Sequence, residues 1–92
     1  MSHFIYILYS DIRNHYYIGS CANLEIRLSR HNAGATPSTK PGRPWKIVYH
    51  ETCVDHIEAL KRENYLKRMK SRIYLEALIA KGAKDKQGSS VG

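Results

Sequence analysis

The chain has two cysteines, Cys21 and Cys53, and they stand far apart. They form no C-x-x-C pair, and no histidine stands at a zinc-type spacing from either. His50, Cys53 and His56 match no recognised ligand pattern. Without a sign of secretion, a disulfide framework is not expected, and both thiols read as buried and free. No apolar run approaches the length of a membrane span. The opening MSHFIYILYSD carries no basic lead and soon meets Asp11 and Arg13, so it does not read as a signal peptide. A peripheral role on lipid would need a bulky apolar face beside the basic one, and none is evident. The expectation is a soluble cytoplasmic protein that does not engage membranes. Internal repeats are absent.

Acidic residues are also scarce. Eight Asp and Glu face fifteen Lys and Arg, for a net charge of +7 over 92 residues. The excess gathers in KRENYLKRMKSR, residues 61–72, where Lys61, Arg62, Lys67, Arg68, Lys70 and Arg72 meet the single acid Glu63. A basic stripe attracts polyanions, and nucleic acid is the commonest; a solvated helix surface is the plainer reading. An apolar share of 42% suffices for one modest core. A chain of this length holds one domain, expected over 1–82, with a disordered polar tail over 83–92.

Along the chain, residues 3–9 alternate as a strand, with Phe4, Tyr6 and Leu8 on one face and Ile5, Ile7 and Tyr9 on the other. DIRN, 11–14, is a turn, and HYYIGSC, 15–21, is a second strand, antiparallel to the first. A four-residue loop pairs Ser10 with His15, Leu8 with Tyr17 and Tyr6 with Gly19. Tyr6 and Tyr17 then sit diagonally on one face, roughly 7 Å apart. A one-residue slip would separate them. Glycine opposite Tyr6 leaves room beside its ring. Asn23 caps a helix to about residue 32, with Leu24, Ile26 and Leu28 expected on its buried side and Arg27 and His31 projecting together. Residues 33–44, AGATPSTKPGRP, form a long loop whose Lys40 and Arg43 are placed to touch phosphates. WKIVYHETC, 45–53, is a third strand. Asp55 and Glu58 open a helix to about 69. Ser71 caps a last helix ending at Lys81, with Gly82 as its stop. The order β-β-α-β-α-α gives an α+β fold: a small three-stranded antiparallel sheet flanked by helices.

On the third of these elements after the hairpin, the helix 56–69, Ala59, Leu60, Glu63, Leu66 and Lys67 fall on neighbouring positions. A carboxylate beside an apolar stripe is costly unless paired or metal-bound. Either it bonds a nearby Lys or Arg, or it has chemical work to do. Trp45 reads as a core anchor; Tyr9, Tyr16 and Tyr49 as packing or surface rings; His3 and His15 as exposed.

The succession Phe4-Ile5-Tyr6, Tyr17-Ile18-Gly19, Arg27, His31 and Glu63 resembles the GIY-YIG endonuclease domain, a family that includes homing endonucleases, restriction enzymes and the C subunit of bacterial excision repair. NAGATPSTKPGRPWKIVY and EALKRENYLKR look most like its small stand-alone bacterial members, over roughly residues 3–80. The resemblance implies a GIY-YIG fold and a divalent-metal-dependent endonuclease hydrolysing phosphodiester bonds in DNA rather than RNA. It implies that Tyr6, Tyr17, Arg27, His31 and Glu63 are catalytic, that Glu63 holds one Mg²⁺ or Mn²⁺ ion, and that Gly19 is structural. Tyr6 would activate water, with His31 or Tyr17 sharing the proton. Phenol is a poor base at its ordinary pKa of about 10, and Arg27 and the metal would favour its phenolate. Arg27 would also offer a planar fork to phosphate.

The chain departs from the family pattern in two places. Phe4 replaces the first glycine, which carries no chemical role. No asparagine follows Asn64, where many family nucleases place one. With no separate DNA-binding domain, affinity would rest on the basic residues Lys40, Arg43, Lys61, Arg62, Lys67, Arg68, Lys70 and Arg72, or on a protein partner that supplies targeting. Binding of that kind is salt-sensitive and structure-selective or weakly specific. Two alternatives stay open: a nucleic-acid-binding module without turnover, and an adaptor docking an acidic protein.

Overall fold

A computed structural model describes the backbone of residues 2–69 and 71–91, and the side chains of 2–69 and 71–82. Lys70 and the side chains of 83–92, including those of the expected tail, lie outside the described residues. Three strands, β1 (His3–Ser10), β2 (His15–Cys21) and β3 (Trp45–Cys53), make an antiparallel sheet in the order β2-β1-β3. Around it stand α1 (Leu24–Asn32), α2 (His56–Met69) and α3 (Arg72–Val91). This is the α+β architecture that the sequence and the resemblance imply.

The centre falls to β1 because it is apolar on both faces, the pattern of a doubly covered strand. Ile5 and Ile7 pack with Ile18 under Ala59 and Leu66 of α2 and Leu75 of α3. Tyr6 and Leu8 pack with Cys21 and Trp45 under Leu24 and Leu28 of α1. The sheet thus has a plain aliphatic face under α2 and α3, and a face rich in aromatic rings under α1. Cys21 is buried and free, and Cys53 is half-buried and free.

The hairpin register is the expected one: Ser10 opposite His15, Leu8 opposite Tyr17, Tyr6 opposite Gly19. Asn14 closes the turn at φ 50°, a conformation asparagine tolerates. All three expected caps form. Ile26 N–H donates to Asn23 Oδ1 at 3.0 Å, Glu58 N–H to Asp55 Oδ1 at 2.9 Å and Tyr74 N–H to Ser71 Oγ at 3.1 Å.

Three expectations need correction. Ile26 is 57% exposed, because the buried side of α1 runs Leu24, Leu28, His31 at helical spacing and Ile26 falls off it. Leu60 likewise faces solvent, leaving Ala59 and Leu66 as the buried apolar positions of α2. Gly82 does not end the last helix, whose backbone continues to Val91. Its role is close packing: a Cβ there would stand 2.8 Å from the Tyr49 ring.

Several basic side chains are engaged within the fold. Arg62 grips Glu51 of β3 through two bonds of 2.9 Å. Burial pushes the Glu51 carboxyl up, but hydrogen bonds from Arg62 and Tyr49 outweigh it and hold the carboxyl below its ordinary range. Arg72 bonds Glu76 at 3.0 Å and braces the hairpin through Asn14, at 3.0 Å to its carbonyl and 2.6 Å to its side chain. Arg43 Nε donates to the Lys40 carbonyl at 2.9 Å. Lys61 pairs with Glu58 at 3.4 Å. Arg62→Ala leaves Glu51 half-buried without its partner, so it should cost about 1–3 kcal/mol of stability, read as a lowered melting temperature. Arg68→Ala, on an exposed residue with no ion pair among those described, should leave the melt unchanged.

Candidate active site

On the aromatic face, Tyr6 and His31 meet at 3.1 Å between the hydroxyl and Nε2. Both are buried, at 2% and 1% exposure. Tyr6 comes from the central strand and His31 from the last turn of α1, 25 residues on. Gly19 makes the meeting possible. A Cβ on it would lie 2.5 Å from the Tyr6 hydroxyl oxygen, so any side chain would push the phenol aside. Tyr17 stands half-buried beside both, its ring centroid 5.1 Å from His31 and 6.5 Å from Tyr6.

Beyond His31 the chain of contacts continues into the long loop. His31 Nδ1 and Thr39 Oγ1 are 2.8 Å apart, and Thr39 Oγ1 donates to the Thr36 carbonyl at 3.3 Å. With that hydroxyl proton committed to Thr36, Thr39 Oγ1 accepts from Nδ1–H. Neutral His31 then carries its lone pair on Nε2, and Tyr6 O–H donates into it. The polar groups line up as Tyr6 to His31 to Thr39 to Thr36.

The electrostatics fit this direction. Burial pushes the Tyr6 phenol well above its ordinary pKa; Tyr17 adds to the rise and Arg27 pulls against it more weakly. Arg27 by itself does not offset this burial, because desolvation outweighs the nearby cation; the expected phenolate rests on Arg27 and the metal together. Burial, followed by the charge of Arg27, lowers the His31 pKa, so the imidazole stays neutral and able to accept a proton. Arg27 itself is half-buried and has no carboxylate partner among the described residues.

Thr39 was not legible as a site residue. It sits in the segment 33–44, which reads as a loop free to reach for phosphate. The segment instead carries a 3-10 turn, Lys40–Gly42, and docks: Trp45 Nε1–H donates to the Thr39 carbonyl at 2.6 Å, and Ser10 Oγ–H to the Gly42 carbonyl at 2.6 Å. A Thr with Pro, Ser and Lys around it carries no signal in the sequence for contact with a helix eight residues earlier. Thr39→Val keeps the shape and removes the acceptor for Nδ1–H. It should lower turnover about 10- to 100-fold, the range found when a group that orients a functional histidine is removed, with little change in substrate affinity; the split between kcat and KM checks this.

Glu63 is set apart from this group. Its helix packs on the opposite, aliphatic face, and among the described residues no hydrogen bond or ion pair joins it to Tyr6, Arg27 or His31. Its side chain is 12% exposed and bonds Lys67 Nζ at 2.6 Å. Lys67 in turn lines a cavity of about 410 Å³ with His15 and Tyr17 at the free edge of β2, so the pair lies at the edge that Tyr17 also reaches. Among the described residues no three His, Cys, Asp or Glu side chains gather as a metal cage. A Mg²⁺ ion commonly takes one or two carboxylates and completes its shell with water and substrate phosphate. A lone, nearly buried carboxylate suits an ion held in that way.

Comparison with known proteins returns a single family. The model of the GIY-YIG catalytic domain matches residues 2–75. A UPF0213 protein of Staphylococcus haemolyticus is 38% identical over 66 residues, covering 71% of this chain and 79% of that protein. A UPF0213 protein of Desulfotalea psychrophila is 40% identical over 55 residues, which is 58% of this chain and half the length (50%) of that relative. The solution NMR structure of a UPF0213 protein from Bacillus halodurans matches with a TM-score of 0.55 at 28% identity, over 89% of this chain and 87% of that one.

Proposed function

We propose that this chain, which belongs to the GIY-YIG family, is a divalent-metal-dependent endonuclease that hydrolyses phosphodiester bonds in DNA with structure-selective or weak specificity. The family's members are nucleases. The observation that carries the reading is the buried line from Tyr6 through His31 to Thr39, a proton path on the aromatic face of the sheet.

Tyr6 works here as a relay. Water attacking the phosphorus gives its proton to the Tyr6 oxygen while the Tyr6 proton passes to His31 Nε2. The phenol stays neutral throughout, in keeping with the rise that burial gives its pKa, and the charge appears on the imidazole. Thr39 keeps the receiving lone pair on Nε2. Arg27 offers its fork to the nonbridging phosphate oxygens, where negative charge grows. Tyr17 orients water and phosphate at the mouth. Glu63 would hold the metal ion, which when bound polarises the phosphate and stabilises the leaving oxygen. Arg68, together with the outward faces of Lys40 and Lys61, would add affinity that falls with salt.

The test is cleavage of labelled single-stranded, duplex, flapped and branched DNA in Mg²⁺ or Mn²⁺ against the same reactions in EDTA. Cutting that EDTA stops supports the enzyme. Salt-sensitive binding with every substrate intact in both metals would instead identify a binding module.

A further inference from the structure

A second cleft, of about 320 Å³, opens off the Tyr17 and Thr39 side of the site, between the β1–β2 turn and the long loop. That size falls at the small end of ligand pockets, which run from about 300 to 1,000 Å³. Its walls are tied down. Arg13 N–H donates to Ser10 Oγ at 3.1 Å, and the same hydroxyl donates to the Gly42 carbonyl, joining the turn to the loop. Trp45 is held from both sides by the Asn32 amide, which accepts from its N–H at 2.6 Å and donates to its carbonyl at 3.0 Å, and its indole N–H is bonded to Thr39. The cleft is therefore formed before anything enters it.

The lining has a mixed chemistry. Half-buried Tyr17 gives aromatic surface, backed by the buried Trp45 ring with centroids 6.3 Å apart at 61°, and Pro41 gives an apolar one. Ser38 is exposed at the rim. Arg13 is exposed there too and has no carboxylate partner among the described residues. An aromatic face beside a free guanidinium suits a base with its phosphate. Bases inside a duplex are stacked and paired and cannot enter a pocket without leaving the helix.

We infer that this cleft takes one unpaired nucleotide of single-stranded DNA, next to the phosphate being cut, with Arg13 on that nucleotide's phosphate. The inference rests on the nuclease reading for its position relative to the scissile bond, and it narrows the substrate to strands with an unpaired nucleotide there.

The test is binding in EDTA, so that no cutting is needed. A labelled oligodeoxynucleotide, single-stranded or annealed to its complement, is titrated by anisotropy, and emission of Trp45, the one tryptophan, reports entry to the cleft. The single strand should bind at least about tenfold tighter than the duplex and change the Trp45 emission. Arg13→Ala and the rim-blocking Ser38→Phe should each weaken it about tenfold, the scale of one lost stacking or phosphate contact, with unchanged circular dichroism. Equal or tighter binding of duplex, a Trp45 signal that does not move, or two variants that bind like wild type would overturn the inference. A chain that shows the expected binding yet never cuts DNA in metal sinks the nuclease reading instead.

Discussion

Tyr6→Phe should slow DNA cleavage about 10²- to 10⁴-fold, the usual weight of a positioned proton-transfer group, in a protein that still folds. Phenylalanine keeps the ring over Gly19 and its edge contact with His31, at 6.1 Å and 63°. It removes only the hydroxyl that links water to His31 Nε2. Leaving that buried nitrogen unpartnered costs about 1–3 kcal/mol, a loss that a thermal melt would register and that is too small to unfold the domain by itself. Single-turnover cleavage and a melt on the same preparation separate the two effects. If Tyr6→Phe cuts within threefold of wild type, the proton goes elsewhere and the relay is wrong.

The same relay fixes the sign of a pH effect. Burial and Arg27 lower the His31 pKa from its ordinary 6.5, so the accepting form persists below that value. The acid limb of activity should fall below pH 6.5. Stability should follow in the same direction. The unfolded chain binds a proton near pH 6.5 and the folded one resists it, so the stability present above that pH is lost as pH drops through the lowered folded value. His31→Gln should remove this part of the pH dependence of the melt.

How far the sequence could be read depended on the range of the interaction involved. The hairpin register followed from a four-residue turn, because side chains alternate strictly along a strand; Tyr6 met Gly19 as that count requires. The caps at Asn23, Asp55 and Ser71 are equally local, each a side chain bonding a backbone N–H three residues away. The three α1 and α2 positions, Leu24, Leu28 and Leu66, were legible as core. Ile26 and Leu60 were misplaced because hydrophobicity alone does not choose between adjacent helical faces when polar residues fill the buried one. On α1 the buried position at the end of the stripe belongs to His31, and on α2 Arg62 and Glu63 flank the core stripe. Gly82 read as a helix stop, since its true partner, the Tyr49 ring, lies on a strand 33 residues earlier in the chain.

The site divides along the same line. Tyr6 and Tyr17 come together by strand pairing alone, whereas His31 joins them in the sequence only through the family resemblance. Thr39 could not, because only the docking of the whole loop under Trp45 delivers it to Nδ1. The basic stripe was legible as charge but not as free charge. Arg62 finds Glu51 and Arg72 finds Asn14 across the fold, contacts that depend on where β3 and the hairpin turn lie. Arg13, which the count of residues 61–72 passes over, has no such partner among the described residues.

Glu63→Gln should lower metal-supported cleavage about 10²- to 10³-fold, a few kcal/mol of lost charge stabilisation at about 1.4 kcal/mol per factor of ten. The fold should tolerate it well. Glutamine has the same shape, its amide oxygen can still accept from Lys67 Nζ, and a nearly buried charge is exchanged for a neutral group. DNA affinity should hold or rise slightly, since one negative charge leaves a basic protein. Lys67→Met makes the opposite change at the same pair. Lys67 and a divalent cation compete for one carboxylate, with the lysine at 2.6 Å in the protein alone. Freed of that competitor, Glu63 should bind the cation more tightly, and the Mg²⁺ concentration giving half-maximal cleavage should fall. A purely structural ion pair predicts something different: both variants would shift the melt, and neither would move the metal dependence. Titrating Mg²⁺ against cleavage for wild type and both variants, with melts alongside, decides between a carboxylate that binds the working ion and one that only anchors Lys67 at the edge of β2.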